Sequence, residues 1–365
     1  MKVLELFGGI GACSKALERL EIDYEIADYV EIDKYAVKSF NAIHNTNFEP
    51  QDICEWDKDI EVDLIMHGSP CQDFSLSGLQ KSGDKGSGTR SSLMWETIRI
   101  VEKLKPKYVI WENVKNLLSK KHIHNFDAYL ETMEKLGYTN YYQVLNAKDY
   151  GIPQNRERVF TVSILGNEKY EFPEKQELKL RLKDMLEDEV DEKYYISDKF
   201  LEHTNFFVIP RGSDGKLING SYNRVWKKEK YCGAINLTKI QEVGSVHKCI
   251  QAGNLKGGKW DKINESCRRF YSDEGLSPTI HTCPGGNTEP KVLTNLIIRK
   301  LIPKECWRLM GFDDEDYEKA AKVNSASQLY KQAGNSICVP VLEAILTNLL
   351  LDNQEKGQTN IYDYL

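Results

Sequence analysis

Cys71 stands in "GSPCQDFSLSG", directly after a proline and just behind the apolar run "VDLIM". Pro70 fixes φ and removes a donor, which sets the thiol in a rigid turn at the mouth of a strand. A thiolate there is a strong nucleophile if its pKa is lowered or water is kept away. A lone cysteine is more often inert, so the neighbours delivered by the fold must decide. "YVIWENVKN" ends with Glu112 and Asn113. A thiol beside a protonatable carboxyl suits attack on a ring that takes a proton elsewhere. Both residues are also ordinary caps for a following helix. "QNRERVF" carries Arg156 and Arg158 two apart, which on a strand would project to one face. Such a pair can hold a polar ring edge or a carboxylate through bidentate hydrogen bonds, or simply pair with Glu157.

A second constellation lies at the start, in "LELFGGIGACSKAL". Gly9 and Gly11 allow a tight turn that a ligand could approach at a helix N-terminus. The third glycine of the dinucleotide fingerprint is replaced by Ser14, so the match is partial. Glu31, in "VEID", follows Gly11 by 20 residues, where an acid would hold ribose hydroxyls. An adenosine-type cofactor is suggested; a tight turn without a ligand is the alternative.

These residues need elements to carry them. Over residues 1–166, short β-rich runs alternate with helical patterns: "KVLELF", "VDLIMHGS" and "YVIWENV" read as strands, "GACSKALERL", "AVKSFNAIH" and "SLMWETIRIVEKLK" as helices. Strands separated by such helices imply an α/β fold with a doubly wound, mostly parallel sheet, whose ligands bind at the C-terminal strand ends. Cys71 and Glu112 both fall there. The segment from 167, "NEKYEFPEKQELKLRLKDMLEDEVDEKYY", reads as a charged linker with one short amphipathic helix. Residues 201–270 hold 13 Lys and Arg against 6 Asp and Glu, with short, irregular strand signals: a smaller basic, β-rich, loop-rich module. From about 294 helical periodicity returns. The expected divisions are 1–166, 167–290 and 291–365.

With 365 residues, 41% of them hydrophobic, the chain can bury a large core and a second, smaller one. Its nine cysteines include no C-x-x-C pair, which suggests neither a disulfide framework nor a zinc site. No secretory signal and no apolar run near ~20 residues is read, so a cytoplasmic protein without a membrane partner is expected. The net charge of −6 argues mildly against a polyanionic partner, but the basic module shows that the charge is regional.

In this order, "LELFGGIG", "VEIDKYA", "QDI", "GSPCQDFS", "ENV", "QNRERVF", "RKLIPKECWRLMGF" and "QAGNSICVPV" resemble the DNA cytosine-5 methyltransferase family, over nearly the whole chain. The resemblance implies S-adenosylmethionine as methyl donor, S-adenosylhomocysteine as product, and no metal. Phe7, Gly9, Ile10 and Gly11 would line the donor, Glu31 would bind its ribose, and Asp52 with Ile53 would meet its adenine. Pro70, Asn335 and Ser336 would close the methionine end. Ile32 departs from the family, which often has tryptophan there; weaker stacking on the adenine follows.

The resemblance further implies that Cys71 adds to C6 of a cytosine, that Glu112 protonates N3, that Arg158 holds the O2 side and that Arg156 supports the site. The target base would be rotated out of duplex DNA, at a few kcal/mol for unpairing. Gln72, Ser75, Ser77 and Arg90 would contact the DNA, and the glycine-bearing segments "FSLSG" and "KSGDKGSGTRSS" would form a lid that closes over the flipped base. The basic module would be the target-recognition domain, with Gln251, Asn254, Lys256, Arg268, Arg269 and Thr279 as candidate DNA contacts; a solvated basic face is the plain alternative. The expected partners are double-stranded DNA and a cognate restriction endonuclease, with the enzyme itself a monomer. A transfer-RNA cytosine-5 methyltransferase would share the chemistry. A nicotinamide oxidoreductase would explain the glycine loop but not Cys71, Glu112 and the arginines. A DNA-binding protein without catalysis would not need "SPCQ" and "ENV".

Overall fold

Along β1 (Lys2–Leu6), Val3 turns into one apolar cluster while Leu4 turns into another. The same alternation runs through β3 (Leu64–His67) and β4 (Tyr108–Val114), where Ile65 and Val109 face one cluster and Met66 and Ile110 the other. A sheet buried on both faces needs helices on both, and the chain supplies them. α1 (Ala12–Arg19) lies on one face, and α3 (Met94–Leu104) and α4 (Ile123–Lys135) on the other. β2 (Glu25–Val30) and α2 (Lys34–His44) complete the first half; Asp33 caps α2 by accepting from the Tyr35 N–H at 2.9 Å.

The computed structural model describes residues 1–70, 93–196, 205–208, 223–225, 248–283, 287–295 and 297–351, the backbone alone at 205–208 and 223–225. The first sheet has the order β2-β1-β3-β4-β6-β5, where β5 is Tyr138–Asn146 and β6 is Glu157–Leu165. β1 to β4 pair in parallel, and β6 runs antiparallel to both its neighbours. The sheet is therefore mixed at one edge, and the reversed strand lays Arg158 opposite Val114, beside the end of β4.

Among the described residues the second sheet, of order β12-β11-β10-β9-β7-β8, also has six strands: β7 (Asn205–Val208), β8 (Asn223–Val225), β9 (Gln251–Asn254), β10 (Arg269–Ser272), β11 (Lys291–Thr294) and β12 (Ile297–Lys300). A one-turn helix, α5 (Glu265–Arg268), precedes β10. Its small core holds Leu255, Trp260, Phe270 and Ile298. Two expectations change here. "NLIIRK", read as helical, supplies β12, because it pairs antiparallel with β11, from Lys291 opposite Lys300 to Thr294 opposite Ile297, and buries Ile298 and Arg299. The charged linker holds 3₁₀ turns rather than an amphipathic helix, and its Tyr170, Leu178, Leu182 and Met185 are buried.

α6 (Pro303–Arg308), α7 (Asp314–Ala321), α8 (Ala326–Asn335) and α9 (Val339–Leu346) return to the first sheet. Arg299 of β12 meets Glu305 of α6 in a buried ion pair, with N–O distances of 2.6 and 2.9 Å. Lys15 of α1 pairs with Asp313 and Asp316 across 2.9 and 3.2 Å, and Arg19 with Glu343 across 3.0 Å, which fastens the C-terminal helices to α1. The helical stretch Ala326–Leu351 is long and apolar enough by composition to cross a membrane, a run the sequence reading passed over. Val339, Val341, Leu342, Ile345, Leu346 and Leu349 of that stretch are buried in the protein core.

Candidate active site

Where β1 ends, the backbone turns through three left-handed residues, Phe7 (φ 53°), Gly9 (57°) and Gly11 (81°). A bulky residue rarely adopts that conformation, so Phe7 is held there by its surroundings. The two glycines serve different ends. A Cβ on Gly9 would meet nothing within 4 Å, leaving that backbone open to a ligand. A Cβ on Gly11 would lie 2.2 Å from the His44 ring, so this glycine lets α1 start against α2. Ile10 is buried in the core and offers the loop only its main chain.

Glu31 follows β2 and is fixed by two backbone donors. Gly9 N–H donates to Oε2 at 3.2 Å and Asp33 N–H to Oε1 at 2.8 Å. Burial pushes this carboxyl up from its ordinary value, against those donors. Ile32 beside it is 68% exposed, a large apolar side chain open at the rim. Asp52 is exposed and accepts from Cys54 N–H at 2.9 Å, whereas the Ile53 side chain enters the core. Three residues that the sequence reading missed hold these loops together. Tyr29 Oη donates to the Gly9 carbonyl at 2.6 Å. Buried Asp28 accepts from Trp56, Gln51 and Lys58 at 2.7, 3.0 and 2.7 Å. Burial opposes ionisation of Asp28, yet those donors hold it below the ordinary carboxylate range. Gln51 N–H also donates to the Glu31 carbonyl at 2.9 Å, which docks the Asp52 loop onto the end of β2.

The second cluster lies at the ends of β3 and β4. The Glu112 side chain is 12% exposed, and its Oε1 lies 2.9 Å from Arg158 Nε. Burial raises its pKa, and the nearby Arg158 and Arg156 only partly offset that. A Cβ on Gly68 would lie 3.8 Å from Glu112 Oε2 and 3.5 Å from Ile337, so the carboxyl stands over the segment leading to Pro70. Pro70 is partly buried at that edge. Ser69 is gripped from β4: Trp111 Nε1 donates to its hydroxyl at 3.0 Å and Asn113 Nδ2 to its carbonyl at 3.3 Å. Asn113 is therefore a tether here rather than a helix cap. Cys71, Gln72, Ser75, Ser77 and Arg90, with the whole expected lid, lie outside the described residues.

The two arginines part company. Arg158 faces Glu112, whereas buried Arg156 donates to the carbonyls of Ile280, Gly334 and Ser336 at 3.1, 3.1 and 2.8 Å. Arg156 thereby joins β6, the 279–283 loop and the end of α8, where Asn335 is exposed and Ser336 buried. Gln154 and Gly334 complete that joint, and neither was singled out from sequence. Gln154 donates to the Leu309 carbonyl at 2.7 Å and accepts from Ile280 N–H at 3.0 Å. A Cβ on Gly334 would lie 2.3 Å from the His281 backbone, which only glycine permits.

On the second sheet the expected DNA contacts are partly committed elsewhere. Asn254 is buried and donates to Glu265 at 2.8 Å; Arg269 also pairs with Glu265, and Arg268 stands 3.7 Å from Asp261. Gln251 donates to the Gly253 carbonyl at 3.4 Å, Thr279 to the Asn155 carbonyl at 2.7 Å, and Lys256 is partly exposed.

The C-5 cytosine-specific DNA methylase family matches residues 1–350. The chain is 32% identical to type II methyltransferase M2.ScrFI of Lactococcus lactis subsp. cremoris, over 96% of this chain and 99% of that one. It is equally 32% identical to the orphan methyltransferase M.SPBetaI of Bacillus phage SPbeta, over 96% and 97%. In fold it is similar to the Dnmt2 methyltransferase of S. pombe (TM-score 0.62, 18% identity, 97% and 99% covered). It also resembles a putative DNA modification methyltransferase of an E. coli prophage (TM-score 0.61, 20% identity, 96% and 98% covered).

Proposed function

The chain belongs to the C-5 cytosine-specific DNA methylase family, and from there we propose that it methylates C5 of a cytosine extruded from duplex DNA, through a covalent bond between Cys71 and C6. The observation that carries this reading is Glu112. It is a buried carboxyl, raised in pKa, placed over the segment that leads into Pro70 and Cys71 and oriented by Arg158.

Cytosine C5 is a poor nucleophile. The Cys71 thiolate adds to C6, and the electron pair displaced through the ring is taken up as Glu112 gives its proton to N3. Arg158 keeps the carboxyl aimed and faces the O2 side, while Arg156 holds the joint behind it. C5 is then nucleophilic. Once C5 is substituted, its proton leaves to a base, the thiolate departs from C6, and N3 returns its proton to Glu112.

S-adenosylmethionine fits the first cluster. Open backbone at Gly9, the doubly held Glu31 carboxylate and exposed Ile32 are of the kinds that take a methionine moiety, ribose hydroxyls and an adenine face. Phe7, Asp52, the Ile53 main chain, Pro70, Asn335 and Ser336 would complete its walls. When bound, it supplies an electrophilic methyl group on a sulfonium.

Residues 167–290 are read as the target-recognition part, supported by the basic excess of its stretch 201–270 and by a second sheet with its own core, whose last two strands run on to Lys300. Phosphate contacts need one basic face, so the net charge of −6 is no obstacle. DNA is favoured over transfer RNA by the family description, that of a cytosine-specific DNA methylase. The test is an oligonucleotide duplex bearing 5-fluorocytosine, with methyl donor present. Wild type should give a denaturant-resistant complex through Cys71, and Cys71→Ser none; a wild-type enzyme that methylates without such a complex sinks the covalent scheme. Transfer RNA run in parallel should be methylated poorly.

A further inference from the structure

β3 ends at His67, and beyond it the sheet no longer fixes the backbone of Gly68, Ser69 and Pro70. That work passes to side chains of β4. In the parallel register His67 lies beside Trp111, and their rings stack 5.6 Å apart at 5°. Trp111 is buried against Tyr129 (4.2 Å) and Phe126 (5.8 Å) as well, so its indole has no room to swing. His67 is anchored in turn, its ring nitrogens 3.1 Å from Tyr129 Oη and 3.5 Å from Thr97 Oγ1. This rigid wall presents one polar atom to the segment, the indole N–H, and Ser69 Oγ accepts it at 3.0 Å. A buried indole N–H without an acceptor is costly, so the pair is self-enforcing.

We propose that the Trp111–Ser69 hydrogen bond is a positioning contact for the methylation reaction, fixing the residue before Pro70 on the segment that Glu112 overlooks and that leads to the proposed nucleophile. The chain leaves little freedom between the two. A residue before proline is confined to extended backbone, and proline fixes its own φ, so an anchored Ser69 restricts how the chain enters and leaves Pro70. Asn113 adds a second anchor; its Oδ1 is taken by Val114 N–H at 2.8 Å, which turns its amide NH₂ towards the Ser69 carbonyl. One strand thus carries the acid at 112 and, on either side of it, the two donors that set the approach of the nucleophile. The proposal rests on the reading that Cys71 is that nucleophile.

The test compares Trp111→Phe, which keeps an aromatic ring in the wall but loses the pyrrole half of the indole with its N–H, with Ser69→Ala, Ser69→Thr and the double variant Trp111→Phe/Ser69→Ala. Four quantities are read: the rate of capture on 5-fluorocytosine duplex, kcat, KM for DNA, and melting temperature. Trp111→Phe and Ser69→Ala should each slow capture and kcat about five- to tenfold, the scale of one buried hydrogen bond, with KM changed less than about twofold. The double variant should be no slower than the slower single one, and Ser69→Thr, which keeps the hydroxyl, should recover most of the rate. Capture by Trp111→Phe at the wild-type rate overturns the proposal. So does a parallel loss of kcat, KM and melting temperature that Ser69→Thr does not rescue, because that describes packing alone. A wild-type enzyme that turns over without capture overturns the Cys71 reading, and it differs from both by appearing before any variant is compared.

Discussion

At the end of the first sheet, Glu112 is largely buried and faces Arg158 across 2.9 Å; on the second sheet, Glu265 holds Arg269 in a partly exposed pair four residues apart. Both are glutamate–arginine contacts, and they differ in what surrounds them. Around Glu112 stand Arg158, the Gly68 backbone and Ile337, and burial there raises the carboxyl's pKa even with an arginine alongside. Around Glu265 water is close, and Arg269 pulls the carboxyl below its ordinary value. On the proposed reading the first pair moves a proton, and the second holds a cation at a surface where another anion could replace Glu265.

That contrast predicts the largest effect for Glu112→Gln. The amide keeps the shape and loses the proton, so kcat should fall about 10²–10⁴-fold, the usual share of general acid catalysis, with duplex affinity little changed. The carboxyl acts in its protonated form and its pKa is raised, so the wild-type rate should decline as pH rises through the folded-state value. Steady-state kinetics across pH measure both; a Gln variant within tenfold of wild type would remove the distinction between the two glutamates.

The next effect concerns stability within the first sheet. Glu5 is buried in β1, where Ser14 donates to it from both its N–H (2.9 Å) and its hydroxyl. Burial raises its carboxyl to about 7 from an ordinary 4.5. The folded chain therefore binds this proton more tightly than the unfolded one. Stability from Glu5 is complete below the ordinary value and drains away as pH rises towards about 7. At about 1.4 kcal/mol per unit, Glu5→Gln should gain up to about 3 kcal/mol over wild type at pH 8, and nothing at pH 4. Denaturant titrations at the two pH values decide it, and equal differences at both would mean that Glu5 does not titrate in this window.

How much of this was legible in sequence follows the same divide. β4 and the helices of the first half came directly from the alternation of strand and helix periods, because each buries a continuous apolar face. The positions of Glu31 and Glu112 at strand ends were legible, and open α/β sheets gather ligands there. Trp111, Asp28, Gln154 and Gly334 were not. Each acts on a partner far along the chain, as Gly334 does against His281, and no local period records such contacts. β11 and β12 were missed for a related reason: strands of four residues carry too few alternations to outweigh helical neighbours.

The smallest expected effect tests the second sheet itself. Arg269→Ala removes one partner of an exposed i, i+4 pair, which at most contributes about 0.5 kcal/mol to stability. Folding should hardly notice. If the arginine exchanges Glu265 for a backbone phosphate, the slope of log affinity for duplex against log salt should shrink by about 1. Glu265→Gln, which frees Arg269 from its intramolecular anion, should shift binding the other way and tighten non-specific duplex binding at a fixed salt concentration. Opposite signs from two residues of one pair are hard to produce by unfolding, which would weaken binding in both. A large loss of stability in Arg269→Ala with an unchanged salt slope would instead make this pair structural, and the recognition face would have to be sought elsewhere on the sheet.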